Sequence, residues 1–311
     1  MSKPTLSVVV PVYNEEEVIN ESYRRLTEVL EGIGETYELI FVNDGSRDKT
    51  LRLALEICRN DRRVKLIDFA RNFGHQLAIT AGMDASSGKA VVVIDADLQD
   101  PPEVIPLMLE KWHEGYEIVY GKRLKREGES AFKKFTAKVF YRFLDKMTDV
   151  DIPVDTGDFR LIDRKVCEAL KHVPEHNRYV RGIVSWLGYK SCPVEFERHK
   201  RFAGTTKYPL KKMIRFASDA IMSFSYKPLK LATLLGCLTI FTSVLLLIFY
   251  AIFGQLNPIT SIVIAAIFIA GLLFLCLGII GEYIARMCDE VRNRPLYLIR
   301  KMHNFDDNDD Q

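Results

Sequence analysis

Two long stretches without a charged residue, residues 231–253 and 258–281, limit what this chain can fold into more than any other feature. A helix needs about 20 apolar residues to cross the roughly 30 Å hydrocarbon core of a bilayer, and both stretches are long enough. A buried helix in a soluble domain rarely stays uncharged over such a length. The sequence therefore predicts two membrane-spanning helices joined by a short neutral link at residues 254–257.

Basic residues flank the outer ends of the two stretches: Lys227 and Lys230 before the first, Arg286, Arg292 and Arg294 after the second. The positive-inside rule then places both termini on the cytoplasmic side of the cell (inner or plasma) membrane. Just upstream, an amphipathic pattern with Lys211, Lys212 and Arg215 predicts a helix lying in the membrane interface. The chain is therefore divided into a cytoplasmic domain at 1–207 that is the candidate catalytic domain, an interfacial helix at 208–228, a two-helix membrane region at 229–285 and a cytoplasmic tail at 286–311.

The first half of the chain alternates between strand and helix patterns. Apolar, mostly β-branched runs at 6–12, 37–42, 64–69 and 91–94 are separated by helical patterns at 13–30, 48–58 and 74–85. Such alternation with short links predicts an α/β domain with a mostly parallel sheet. Further strands are expected at 118–121, 156–162, 187–196 and 295–300, a basic helix at 122–146, and disorder at 306–310.

Asp95 and Asp97 directly follow the strand pattern of residues 91–94. In an extended chain, residues two apart point to the same side, so these carboxylates can converge just past a strand end. Ligands of open α/β sheets collect at the carboxyl ends of strands, and paired carboxylates suit Mg²⁺ or Mn²⁺ holding a diphosphate. Two aspartates with this spacing and no other motif more often cap a helix in solvent. The metal-site interpretation therefore depends on which residues follow the other strands.

Composition removes several classes of function. A net charge of +2 gives no electrostatic footprint for nucleic acid. The six cysteines are scattered without Cys-x-x-Cys spacing, so neither a zinc site nor a disulfide framework is predicted.

Four motifs in this order resemble those of family 2 glycosyltransferases. They are Pro11-Val12-Tyr13-Asn14-Glu15, Asn43-Asp44-Gly45-Ser46, Asp95-Ala96-Asp97-Leu98-Gln99-Asp100-Pro101 and Thr156-Gly157-Asp158-Phe159-Arg160. Together with two C-terminal spans, the chain is similar to the polyisoprenyl-phosphate glycosyltransferases, the group of bactoprenol glucosyltransferases and dolichol-phosphate mannose synthases. The resemblance covers essentially the whole chain and implies a GT-A fold.

The resemblance also implies roles for individual residues. Nucleotide contacts are implied for Pro11, Tyr13, Glu15, Val42, Asp44, Asp95 and Ala96, and metal contacts for Asp97 and Gln99 together with Asp95. Asp158 is implied as the catalytic carboxylate beside the anomeric carbon, with Asp97 as its metal-holding counterpart and Arg160 beside it. Arg123, Arg201 and Lys207 are cations in expected loops, so they are candidates for holding phosphates.

The implied reaction moves a sugar from a UDP-sugar to undecaprenyl or another polyprenyl phosphate, with Mg²⁺ or Mn²⁺ as cofactor and inversion at the anomeric carbon. Glucose and N-acetylglucosamine are the favoured sugars, and mannose and aminoarabinose stay open as alternatives. The acceptor phosphate has a second pKa of about 6, so its oxygen is already largely anionic and needs little help from a general base. A homo-oligomer, in particular a tetramer, is expected, since Gly271 and Gly278 allow close approach of helices.

Two other functions stay open at this point. A processive membrane polysaccharide synthase usually carries a Gln-x-x-Arg-Trp motif and more spans, whereas neither Trp112 nor Trp186 follows an arginine. A non-enzymatic scaffold or flippase subunit would leave the ordered carboxylates without a purpose, and the spans lack polar residues that could line a path.

Overall fold

A computed structural model describes residues 3–124, 156–173, 175, 178–197, 258–292 and 294–305, with isolated positions between 234 and 249. The strands are β1 (Leu6–Val12), β2 (Tyr37–Asn43), β3 (Val64–Phe69), β4 (Ala90–Val93), β5 (Ile118–Arg123), β6 (Thr156–Asp163), β7 (Ser191–Phe196) and β8 (Ile299–His303). The helices are α1 (Ile19–Ile33), α2 (Thr50–Asn60), α3 (His75–Ala85), α4 (Ile105–His113), α5 (Arg164–Lys171), α6 (Val180–Trp186) and α7 (Pro258–Arg292), and a short 3₁₀ turn covers Pro102–Val104.

The eight strands form one sheet in the order β7-β5-β6-β4-β1-β2-β3-β8. The neighbours β4, β1, β2 and β3 are parallel, as the alternating pattern predicts. In contrast, β6 runs antiparallel to both β4 and β5, and β8 runs antiparallel to β3. The predicted α/β class with a mostly parallel sheet is confirmed. On the β7 side of the sheet, β6 runs opposite to its neighbours β4 and β5.

Continuous apolar runs form the central strands because helices cover both faces of the sheet. Every residue of β1 is buried. Helix α3 packs directly on this strand: a Cβ added at Gly82 would lie 2.2 Å from Cγ1 of Val9. Only glycine therefore allows α3 to approach β1 this closely at this position.

Several predicted boundaries were wrong, for local reasons. Helix α1 begins at Ile19, later than expected, because Asn14 has a left-handed backbone (φ 54°) and its N–H donates to Oγ of Ser46 at 3.0 Å. Strand β7 begins at Ser191, since α6 and the turn at Gly188 (φ 72°) occupy the residues before it. Residues 122 and 123 belong to β5, and the remainder of the helix predicted at 122–146 lies almost entirely outside the described residues.

Within the described part of the chain, one helix is long and apolar enough to cross a membrane. It covers Ser261–Arg292 of α7, with a mean hydropathy of 3.0 and none of its apolar window buried. This helix contains the predicted span at 258–281. The predicted interfacial helix at 208–228 lies outside the described residues, and so does most of the predicted span at 231–253.

After α7 the chain returns to the sheet. The ring of Tyr297 stacks on Phe69 with centroids 5.2 Å apart, and its hydroxyl donates to Oδ2 of Asp84 at 3.0 Å. Strand β8 then pairs with the edge strand β3, starting at Ile299 and thus later than the predicted 295–300. The tail is therefore part of the folded domain, while the predicted disorder at 306–310 lies outside the described residues.

Candidate functional site

Three strand ends bring their following residues to one edge of the sheet. The N–H of Asp44, just past β2, donates to the carbonyl of Val12 at the end of β1 at 3.0 Å. The N–H of Ile94, just past β4, donates to the carbonyl of Val9 in β1 at 3.1 Å. Since these strands are parallel, the predicted nucleotide-contacting residues leave the sheet on the same side, as ligand sites of α/β sheets require.

The antiparallel strand β6 adds Asp158 to this edge. Val93 pairs with Arg160, so the same register continued by two residues sets Asp95 opposite Asp158. Nε2 of His75, the first residue of α3, lies 3.3 Å from Oδ1 of Asp95 and 3.3 Å from Oδ2 of Asp158. One imidazole therefore bridges the two carboxylates that the sequence separates by more than sixty positions.

Asp158 has a further partner on each carboxylate oxygen. Nε of Arg181, in α6, forms an ion pair with Oδ1 at 3.0 Å. Nε2 of Gln76, in the first turn of α3, donates to Oδ2 at 3.1 Å. Burial alone would raise the pKa of Asp158, but the nearby charges of Arg181, His75 and Arg160 outweigh it and hold that pKa far below the ordinary value. Asp158 is a poor proton acceptor at neutral pH.

The pKa values of Asp95 and His75 are raised, whereas that of Asp158 is lowered. Burial raises the pKa of Asp95 to about 6, with Asp158 and Asp97 adding to the rise and His75 opposing it. Burial would lower the pKa of His75, but the charges of Asp95 and Asp158 prevail and raise it to about 9. The site therefore concentrates negative charge that a cation can relieve, and His75 supplies one positive charge.

The loop that follows Asp95 is compact. Leu98 has a left-handed backbone (φ 56°), and the N–H of Gln99 donates to Oδ1 of Asp97 at 3.1 Å. Among the described residues no group of three or more His, Cys, Asp or Glu side chains is arranged to hold a metal ion. Oδ1 of Asp95, however, is buried and accepts no hydrogen bond in the described chain, although it lies 3.3 Å from Nε2 of His75. Carboxylates of this kind fit Mg²⁺, which is commonly bound by one or two carboxylates plus phosphate oxygens and water.

Two arginines that were predicted to contact the substrate, Arg123 and Arg160, contact other residues of the protein. The guanidinium of Arg123, at the end of β5 and not in a loop as predicted, forms an ion pair with the buried Asp100 at 3.0 Å. Arg160 is buried and donates to the carbonyls of Gly157 at 3.0 Å and Asp158 at 3.3 Å. Arg160 thus braces the main chain that carries Asp158. Arg201 and Lys207 lie outside the described residues.

The carboxylate of Asp44 is also hydrogen-bonded to other residues of the protein. Its buried carboxylate accepts from the N–H of Phe73 at 2.7 Å, the N–H of Gly74 at 3.0 Å and Nδ2 of Asn72 at 2.8 Å. Burial raises the pKa of Asp44, although these bonds oppose the rise. Asp44 therefore closes the loop that leads into α3.

The other predicted nucleotide-contacting residues differ in exposure. Tyr13 and Glu15 are partly exposed at the sheet edge, where they can reach a ligand. Pro11 and Ala96 are buried, and the side chain of Val42 lies wholly in the core. Their contacts to a nucleotide stay predictions.

The sequence did not predict His75, Gln76 and Arg181 as part of the site. A signal exists for the first two: they open the helix predicted at 74–85, and helices that follow parallel strands begin at the ligand-binding edge. No signal exists for Arg181, which reaches Asp158 only because the chain reverses at β6.

Carboxylates gathered at the ligand-binding edge of a mostly parallel sheet indicate an enzyme site, and the comparison with known proteins gives the family. Residues 7–171 match the sequence profile described as Glycosyl transferase family 2, and the chain belongs to this family.

Two relatives extend the similarity over nearly the whole chain. The glycosyltransferase YkcC of Bacillus subtilis is 54% identical over 305 residues, covering 96% of this chain and 94% of its own. The SfII prophage-derived bactoprenol glucosyl transferase of Shigella flexneri is 40% identical over 305 residues, covering 96% of this chain and 98% of its own.

A solved structure shares the fold. Glucosyl-3-phosphoglycerate synthase from Mycobacterium tuberculosis, in complex with Mn²⁺, uridine diphosphate and phosphoglyceric acid, superimposes with a TM-score of 0.50 at 19% identity. The match covers 70% of this chain and 76% of that one. The α/β domain therefore has the GT-A fold that the resemblance implied.

Proposed function

We propose that this glycosyltransferase moves glucose or N-acetylglucosamine from a UDP-sugar to a polyprenyl phosphate at the cytoplasmic face of the cell membrane. One observation carries the proposal: Asp95 and Asp158 meet at the ligand-binding edge of a GT-A sheet, in a chain 40% identical to a bactoprenol glucosyl transferase over 305 residues. Glucose is favoured over N-acetylglucosamine because that relative is named for glucosyl transfer.

The proposed step forms one bond and breaks one bond. An oxygen of the acceptor phosphate attacks the anomeric carbon, the bond from that carbon to the β-phosphate oxygen breaks, and UDP leaves with the electron pair. Attack from the opposite side inverts the anomeric centre. The acceptor oxygen is largely ionised at neutral pH, since the second pKa of a phosphate monoester is about 6, so no proton has to be removed.

The residues then divide the work by their positions. Tyr13 and Glu15 border the nucleoside at the end of β1, and Asp95 and Asp97 face the diphosphate. A divalent metal held by Asp97, Gln99 and Asp95 would neutralise charge on the departing diphosphate. Asp158, kept ionised by its cationic partners, lies where positive charge develops on the sugar ring and stabilises it electrostatically.

The membrane location follows from the two substrates. A nucleotide sugar is made in water, whereas exposing a polyprenyl chain to water is costly. Helix α7, with its apolar surface unburied by the rest of the described chain, would anchor the domain at the bilayer. Two spans, cytoplasmic termini and a tetrameric assembly complete the proposal.

The test uses membranes from cells that express the full chain, or the purified protein in liposomes containing undecaprenyl phosphate. Each of a panel of labelled UDP- and GDP-sugars is added with Mg²⁺ or Mn²⁺, and label is followed into the lipid fraction. We expect transfer from UDP-glucose, with none from the Asp97→Ala variant. Label that enters a polymer, or no labelled lipid from any donor, would refute the proposal.

A further inference from the structure

Asp158 is the most constrained side chain at the site. Its carboxylate is only 11% exposed, and its partners come from two elements that the chain order places on either side of β6. Besides His75, these partners are Gln76 of α3 and Arg181 of α6. The proposed function uses Arg181 only as a nearby positive charge and does not use Gln76.

Gln76 uses both ends of its amide. Nε2 donates to Oδ2 of Asp158 at 3.1 Å, and Oε1 accepts from the N–H of Val180 at 3.0 Å, at the start of α6. One side chain must both donate and accept to make this connection. An amide can do so, whereas a carboxylate only accepts and an ammonium group only donates. Gln76 therefore ties α6 and β6 to α3, and through α3 to the parallel strands.

Arg181 holds the same carboxylate from the other side. Its Nε lies 3.0 Å from Oδ1 of Asp158, and its Nη1 donates to the carbonyl of Thr156 at 2.8 Å. The guanidinium thus fixes the side chain and also the backbone two residues earlier. Since each oxygen of Asp158 has its own partner, rotation of the carboxylate would break one contact or the other.

We propose that Gln76 and Arg181 are positioning residues for Asp158, which they hold as a fixed anion beside the sugar, so that its role is electrostatic and not proton transfer. The inference rests on the proposed function, because it concerns the same reacting centre. It is consistent with an acceptor that arrives already ionised. Both residues act through Asp158, so their loss matters only while Asp158 is present.

The test is a double-mutant cycle in the full-length protein, with UDP-glucose and undecaprenyl phosphate as substrates. Gln76→Glu keeps the acceptor for Val180 but sets a negative charge against Asp158, and Arg181→Ala removes the ion pair. We expect each to lower kcat about 10- to 100-fold, as misplacement of a reacting group does. KM for UDP-glucose should change less than about twofold, because uniform donor binding is not affected.

In the Asp158→Asn background the same substitutions should lower kcat by less than about threefold further, since residues that act as a unit are not additive. Arg181→Lys, which keeps the charge, should retain more activity than Arg181→Ala. Fully multiplicative losses, or a rise in donor KM as large as the fall in kcat, would overturn the proposal.

The matched control is Arg178→Ala. Arg178 lies three residues before Arg181 and donates to the carbonyl of Val173 at 2.6 Å, so it braces a backbone carbonyl as Arg181 does, without the ion pair to Asp158. We expect its kcat to stay within about twofold of the wild type. A loss equal to that of Arg181→Ala would show that local structure, and not Asp158, explains the effect.

A second readout does not depend on activity. Thermal unfolding of the same variants measures whether Gln76 and Arg181 are coupled to Asp158. Gln76→Glu should lower the midpoint, and combination with Asp158→Asn should recover part of it, because the amide introduced at position 158 can then donate to the carboxylate at position 76. Recovery of stability without recovery of kcat supports the proposal, and absence of any coupling overturns it. If the wild type transfers no sugar, the proposed function fails, while the stability cycle still decides whether Gln76 and Arg181 hold Asp158.

Discussion

The sheet has two halves that use polar side chains in different ways. In the half formed by β1 to β3, Asp44 and Asn43 accept hydrogen bonds from backbone N–H groups in loops. In the half formed by β5 to β7 and α6, Arg123 and Arg181 form ion pairs with the carboxylates of Asp100 and Asp158. The polar groups of the first half hold loops, and the second half supplies Arg181 as an ion-pair partner of Asp158. The proposed reacting centre lies between the two halves, where β4 meets β6.

This difference leads to a rule that mutations can test. Substitutions in the β1 to β3 half should change stability first, and substitutions where β4 meets β6 should change rate first.

The largest effect is expected for Asp97→Ala. A metal that neutralises developing charge contributes several kcal/mol to transition-state stabilisation, so its loss should lower kcat by about 10³-fold or more. The thermal midpoint should stay close to the wild type, because Asp97 is on a partly exposed loop. Steady-state labelling of lipid and a thermal melt provide the measurements. Wild-type turnover in excess EDTA would contradict the metal role of Asp97.

The next effect is expected for Asp158→Asn. The side chain keeps its shape but loses the charge that stabilises the transition state, so kcat should fall by about 10²- to 10³-fold. UDP binding, measured by calorimetry, should be unchanged within about twofold, since Asp158 comes from β6 and not from the strands that carry the nucleotide residues. A large loss of UDP affinity would show that the two halves do not divide the substrates in this way.

These expectations rest on residues whose sequence signals differ in kind. Asp95, Asp97 and Asp44 directly follow buried strands, and the parallel sheet could be predicted because each βα unit is local in sequence. Asp158 was identified through its motif, but its position opposite Asp95 depends on the antiparallel direction of β6, which no local pattern indicates. Arg181 depends on the same reversal, so its part in the site became visible only in the folded chain.

A smaller effect, on stability, is expected for Asp44→Ala. The partly buried N–H groups of Phe73 and Gly74 would lose their acceptor, which costs about 1–3 kcal/mol. The thermal midpoint should fall while kcat for the remaining folded enzyme changes less than in Asp158→Asn. Asp48→Ala, which removes a more exposed acceptor for the N–H of Thr50, is the matched control with a smaller fall. An unchanged midpoint together with lost UDP affinity would place Asp44 on the nucleotide and not on the loop.

The smallest effect concerns pH and lies deep in the β1 to β3 half. Glu38 is buried, forms an ion pair with Nζ of Lys65 at 2.7 Å, and accepts from Oγ of Ser7 at 2.5 Å and from the N–H of Ser87 at 2.6 Å. Burial would raise the pKa of Glu38, but these partners together bring it below the ordinary value of 4.5. An acid whose pKa is lowered by folding adds stability above 4.5, and that stability is lost as the pH falls towards the folded-state pKa.

The thermal midpoint of the wild type should therefore drop more steeply, as the pH falls below about 5, than that of Glu38→Gln, which cannot lose a charge at this position. Glu21→Gln is the control, because the pKa of Glu21 is also lowered, chiefly by a hydrogen bond from Arg24, yet Arg24 is 60% exposed and the surface pair adds little to stability. Parallel curves for the wild type and Glu38→Gln would mean that burial and ion pairing at Glu38 cancel. The buried polar group of this half would then contribute to the architecture of the sheet without making its stability depend on pH.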